Sequence, residues 1–216
     1  MPAKTPAATR AYDLVKLRIL HGVYADTTLL SEGDVATELG LSRTPVREAF
    51  LRLEVEGFLK LYPKRGALVV PIPPEGIREV YEARELIESH SARHICAQDQ
   101  DFRGQVCGEL EELIGAQLAC LRDGDLQEYT RLDAAFHQVI MDHGGNSVLA
   151  AVGQSLREKQ QRCTSTAIGR NLDTAYHFVE GHRRIVLTLR AGDTAAYARE
   201  IHQHLADSQA QLSAQR

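Results

Sequence analysis

No stretch of this 216-residue chain approaches the ~18 continuous apolar residues that a membrane-crossing helix needs. Its first nine residues, rich in proline and alanine, lack the apolar run of a secretion signal and read as a loose tail. The four cysteines, Cys96, Cys107, Cys120 and Cys163, have neither the paired spacing of a zinc or redox motif nor the density of a disulfide scaffold. They are expected as reduced thiols on helices. No HExxH-type arrangement sets a general base beside paired histidines, and there is no internal repeat. These absences argue against membrane-spanning, disulfide-stapled and zincin-type proteins, and lead to the expectation of a soluble cytoplasmic one.

What is present is ordinary in bulk and informative in distribution. The length allows two domains, each with its own core. The net charge is −4, which by itself disfavours a polyanionic partner. Residues 1–72, however, hold 10 Lys/Arg against 8 Asp/Glu, whereas residues 73–216 hold 15 against 21. The basic excess lies in the first third and the acidic excess in the rest, so two domains with different tasks are the simpler account. Pro71-Ile-Pro-Pro74 marks the boundary, since three prolines in four residues cannot continue a strand.

Within the basic third, residues 10–22 read as a helix with Leu14, Leu17 and Val15 inward, and Ser31 to Leu39 as a second, ended by Gly40. The stretch Gly40-Leu-Ser-Arg-Thr-Pro-Val-Arg-Glu-Ala49 then opens a third. Ser42 stands at its N-cap and Pro45 in its first turn, where a missing N–H costs nothing. Val46, Ala49, Phe50 and Leu53 recur at i, i+3, i+4 and i+7 and define a core face. Arg43, Thr44 and Arg47 project from the other side, at the end where recognition helices read base edges. Residues 58–62 and 67–70 read as strands around a Pro63-Lys-Arg-Gly66 tip. Three helices and a basic hairpin make a winged helix-turn-helix, so Ser42, Arg43, Thr44, Arg47, Lys64, Arg65 and Gly66 are the candidate DNA contacts.

After residue 73 strand signals vanish. Five punctuation points, at residues 99–101, 123–125, 144–146, 169–173 and 191–193, leave six helical segments of about 18 to 25 residues, the lengths of an antiparallel bundle. Ionisable side chains on its inward stripes need an explanation. Asp133 and His137 sit one turn apart on the stripe of Tyr129, Phe136 and Ile140. His182 lies on the stripe of Val179, Val186 and Leu189, and His204 at the edge of that of Tyr197, Ile201 and Leu205. His177 and His202 point elsewhere. His182 precedes Gly192 by ten residues and His204 follows it by twelve, so at ~1.5 Å per residue the two stand within roughly 3 Å in height. Three imidazoles and a carboxylate suit a divalent transition metal with open positions, zinc foremost, with nickel, manganese and iron also compatible. Arg84, between Ile77, Val80 and Ile87, needs a buried anion: either Glu88 one turn on, or an anionic effector held bidentately.

Ser42-Arg-Thr-Pro-Val-Arg-Glu-Ala49 and Leu53-Glu-x-Glu-Gly57, ahead of a basic wing, resemble the GntR family of transcription regulators. Asp133-x-x-x-His137, His182 and His204 resemble the metal-binding pattern of its FCD-type effector domain, and six helices resemble the shorter, VanR-like layout. The resemblance implies a winged helix-turn-helix over residues 10–72 and an all-helical effector-binding and dimerisation domain over 73–216. It further implies a homodimer on a palindromic operator, displaced by a small carboxylate metabolite, with Arg43, Thr44 and Arg47 on DNA and Gly66 at the minor-groove wing. The chain departs from the family at Ser31-Glu-Gly-Asp-Val35, where Gly33 replaces a usual arginine, and at Ala25-Asp-Thr-Thr28, which replaces the usual Pro-Gly. A ligand-responsive repressor is the leading expectation. The alternatives are a metal-dependent enzyme, in which an Asp/His site activates water, and a pure metal sensor, which has no need of Arg84.

Overall fold

The computed structural model describes residues 6–169 and 171–214. The chain divides between Ile72 and Pro73 into two compact units. The first unit runs α1 (Ala7–Leu20), β1 (Leu29–Leu30), α2 (Glu32–Leu39), α3 (Arg43–Val55), β2 (Leu59–Tyr62) and β3 (Gly66–Val69). The three strands form one antiparallel sheet in the order β1-β3-β2, with Leu29 opposite Leu68 and Tyr62 opposite Gly66. β1 has only two residues, too few to leave an alternating pattern in the sequence.

Two expectations for α1 are corrected. Helix begins at Ala7, so residues 7–9 belong to its first turn, and residues 1–5 of the expected tail lie outside the described residues. The Pro6 carbonyl accepts the Arg10 N–H at 3.0 Å, and the two alanines favour helix over coil. The buried face is Ala11, Val15, Ile19 and Leu20, whereas Leu14 and Leu17 are 37% and 46% exposed. Small Ala11 lets α1 lie close to α3, a signal that counting leucines does not carry. Val46, Ala49, Phe50 and Leu53 of α3 are fully buried, as their spacing requires.

The second unit is built from α4 (Pro74–Cys96), α5 (Gln100–Asp123), α6 (Leu126–Asp142), α7 (Ser147–Ile168), α8 (Leu172–Ala191) and α9 (Thr194–Ala214). Pro74 occupies the first turn of α4, where its missing N–H has no cost. Asp99, Asp125, Asn146 and Asn171 cap α5 to α8 by accepting backbone N–H groups. Short, capped connections join these helices, α5 packs on α6 and α8, α4 packs on α9, and all six contribute buried residues to one interior.

The two serines that precede helices in the first unit behave differently. Ser31 Oγ accepts the N–H groups of Gly33 and Asp34 at 3.2 and 3.3 Å. Ser42 occupies the N-cap of α3 with no side-chain bond to it. Ser31→Ala is therefore expected to loosen α2 by about 1 kcal/mol, read as faster hydrogen exchange at the first α2 amides. Ser42→Ala should leave α3 exchange unchanged; equal acceleration in both helices would contradict this assignment of caps.

Candidate functional site

The sequence-derived DNA face is assembled by a buried anchor and an exposed rim. The apolar face of α3 fixes the helix, and Ser42, Arg43, Thr44 and Arg47 are left exposed at its start. Opposite them, the Arg65 N–H donates to the Tyr62 carbonyl at 3.0 Å and closes the hairpin tip, with Lys64 at φ 61°. Gly66 has φ 109°, and a Cβ there would collide with the Leu30 carbonyl oxygen, so the strand crossing requires glycine. Arg43, Arg47, Lys64, Arg65 and Gly66 share one open cleft of about 780 Å³. Ser42 and Thr44 stand outside its lining. Glu54 also borders the cleft, but its carboxylate accepts the Leu61 N–H at 2.8 Å and ties α3 to β2. At Gly33 a Cβ would sit 3.2 Å from Arg43 Nη2. The glycine on α2 thus makes room for a guanidinium from α3.

Arg47 is exposed near the start of α3, and an arginine on a recognition helix reads guanine at ~1–3 kcal/mol of discrimination. Arg47→Ala should weaken binding to specific DNA far more than to scrambled DNA. Lys64→Ala, at the wing, should weaken both alike and shallow the salt dependence. Binding curves on both DNAs at several salt concentrations check this, and identical behaviour of the two variants would refute it.

The second constellation lies inside the helical unit. The ligand nitrogens of His137 (α6), His182 (α8) and His204 (α9) fall within 4.8 Å of one another, and all three residues are buried. The His182 and His204 ring centroids are 4.7 Å apart, so the height match across the Gly192 turn holds in three dimensions. Phe136 stacks on His182 at 4.1 Å and fixes its plane. Gly181 makes space for His204, because a Cβ there would lie 2.6 Å from its Nδ1. Asp133 sits at the rim, with Oδ1 3.5 Å from His182 Nε2. Its Oδ2 accepts hydrogen bonds from Thr164 (3.1 Å) and Gln160 (3.4 Å). His177 and His202 are exposed and pair with Asp207 and Glu85.

The far side of each ring explains the near side. His137 Nδ1 lies 2.7 Å from Glu88 Oε2, and His182 Nδ1 lies 2.9 Å from Gln117 Oε1. Glu88 also accepts from Arg84 Nε at 3.1 Å. Burial raises the Glu88 pKa, against the pull of Arg84. Facing a permanent cation, Glu88 is taken as the carboxylate, so the proton between it and His137 is assigned to Nδ1. Both rings then hold a lone pair at Nε2, and both Nε2 atoms are buried without a hydrogen-bond partner. Burial, first, pushes all three imidazoles well below their ordinary pKa, with the positive charge of Arg84 adding to it. Burial also pushes Asp133 up to about 6, again against the pull of Arg84. Neutral imidazoles, ring orientation by a carboxylate or amide, and orphaned nitrogens beside an acid are the donor set a divalent cation takes.

Arg84 is 3% exposed and pairs with Glu88, yet its Nη2 has no partner. The ion pair and a free N–H donor group therefore coexist on one guanidinium. Sequence reasoning misses Gln117, Gln160 and Thr164. Gln117 carries a readable signal, since Leu110, Ile114, Gln117 and Leu121 are one buried stripe with a single polar member. Tyr197 is fully buried with an unpartnered hydroxyl, which its place on the α9 stripe disguises as ordinary core.

Comparison with known proteins gives the same division of the chain. The profile of the gntR family of bacterial regulatory proteins matches residues 7–69, and that of the FCD domain matches residues 79–207. An uncharacterised HTH-type transcriptional regulator from an unstable DNA locus of Streptomyces ambofaciens is 31% identical over 206 residues, covering 94% of this chain and 85% of the relative. The gluconate operon transcriptional repressor of Bacillus subtilis is 25% identical over 92% of this chain and 82% of its own length. A crystal structure of a GntR regulator from Rhodococcus sp. RHA1 shares the fold, with a TM-score of 0.75, 20% identity and coverage of 96% and 97%. The winged unit, the six-helix unit and these matches together place the chain in the GntR family, as a DNA-binding transcription regulator with an FCD domain.

Proposed function

We propose that the protein is a ligand-responsive repressor that binds one divalent transition metal and a small carboxylate in its helical unit and leaves its operator when the carboxylate binds. The observation that carries this reading is the trio of buried imidazoles, two of them with an Nε2 that has no hydrogen-bond partner, in the same unit as a guanidinium with a free Nη2. His137, His182 and His204 would hold the metal, with Asp133 completing the set, and zinc suits the donors best, ahead of nickel, manganese or iron. Bound there, a metal would supply Lewis-acid attraction for a carboxylate. The chain does the rest. Glu88 and Gln117 orient the rings, Phe136 and Gly181 fix their positions, and Arg84 Nη2 offers a charge-assisted hydrogen bond to the anion.

Regulation then follows from linkage. A carboxylate that weakens operator binding must itself bind less tightly to the operator complex, by the same factor. The free nitrogen on Arg84 favours this reading over a metal sensor, because a metal alone leaves that buried donor unused. Regulation of transcription, rather than turnover, is also what the relatives' names describe.

His182→Ala should lose the metal by elemental analysis and, because three helices share the site, melt at a lower temperature than wild type. His177→Ala, on the surface beside Asp207, should do neither. Wild-type metal content in both variants would overturn the assignment. One recognition helix covers too few base pairs for a unique address, so a homodimer is expected to protect an inverted repeat as one unit. A monomer by sedimentation at micromolar concentration, or a footprint without two-fold symmetry, would contradict that.

A further inference from the structure

Glu88 of α4 is held on both sides in the interior of the helical unit. It is fully buried, and each oxygen has a different partner: Oε1 takes Arg84 Nε at 3.1 Å, and Oε2 takes His137 Nδ1 at 2.7 Å. Both partners carry a second nitrogen that is buried and empty-handed, Arg84 Nη2 and His137 Nε2. Those are the two atoms that an anion and a cation would use. One carboxylate thus stands directly behind both ligand positions, on a single helix, with α6 supplying the imidazole.

We propose that Glu88 couples the two ligands beyond what a direct bond between them contributes, so that metal and carboxylate each raise the affinity for the other more than that bond alone would. The inference rests on the metal and effector reading above. A cation on His137 Nε2 withdraws electron density from the ring, and the Nδ1–H becomes a stronger donor to Glu88. The carboxylate charge is drawn toward His137, and Arg84 keeps more of its own charge for an anion at Nη2. In the reverse direction, an anion on Arg84 loosens its hold on Glu88. The carboxylate then acts more fully on Nδ1–H and makes Nε2 a better ligand. Reciprocity of the two effects is required by thermodynamics. A glutamate at this position does what its nearest replacements cannot. Glutamine has one acceptor for two donors and carries no charge, while aspartate keeps the charge but is one methylene too short to span both partners.

The test is the affinity of the full-length protein for zinc, by competition with a chromophoric chelator, at zero and saturating acetate. For wild type, acetate is expected to raise zinc affinity about 20-fold, inside the usual range of coupling between sites. In Glu88→Gln and Glu88→Asp, zinc without acetate should bind ~10–100-fold more weakly, and the acetate effect should fall to about 5-fold or less, the part that a direct bond to the metal supplies. A residue that only supported the fold would lower zinc affinity and leave the acetate ratio intact, so an unchanged ratio in the variants overturns the proposal. Should Glu88→Gln fail to fold, Glu88→Asp, which retains the buried counter-charge for Arg84, decides the matter on the same ratio. Failure of the underlying reading looks different: wild type then takes up no zinc at all, with or without acetate. Zinc uptake without any acetate effect in wild type refutes the coupling and leaves the metal site standing.

Discussion

A carboxylate with no access to water holds a guanidinium with one oxygen and an imidazole with the other, and the helical unit is arranged around that pair of bonds. Breaking a buried ion pair of this kind by removing one partner typically costs about 3–5 kcal/mol, because the remaining charge has nowhere to go. The interior therefore cannot be closed by apolar packing alone. α5 sends Gln117, α7 sends Gln160 and Thr164, and α9 sends Tyr197 and His204 into the same interior. An apolar bundle with these lengths would be easier to build. The excess of buried polar groups over their partners is what supports the ligand-binding function proposed for this unit.

The winged unit solves the opposite problem. Its polar groups must face outward and stay solvated, so the core beneath them has to fix their geometry. Val46, Ala49, Phe50 and Leu53 do so for Arg43 and Arg47, and a glycine that tolerates a strand crossing does so for the wing. The sequence difference at α2 gains a physical reading from this arrangement. Gly33 withdraws a side chain from a place that the Arg43 guanidinium approaches, so positive charge is retained near the start of α2 although the residue that carries it sits on α3.

The readable features were those with a period or a local rule. Helix spacing gave the α3 core face and the inward stripes of α6, α8 and α9, and turn chemistry located the hairpin tip. The height argument across Gly192 brought His182 beside His204. Local rules misjudged α1, where two leucines suggested the wrong face and a small alanine marked the right one. They also missed β1, which is a strand only because β3 is there to pair with it.

By itself the sequence determined where the chain divides, which helices form and which titratable side chains turn inward, because periodicity, capping and proline sterics act over a few residues. Only the tertiary structure decided which atoms those side chains present. Whether Arg84 serves Glu88 or an anion was undecided along the chain, and the fold shows Nε committed and Nη2 free. That Glu88 also backs His137, 49 positions further along the sequence, depends on α4 meeting α6. A contact of that range is set by how whole helices pack, so no window of sequence contains it.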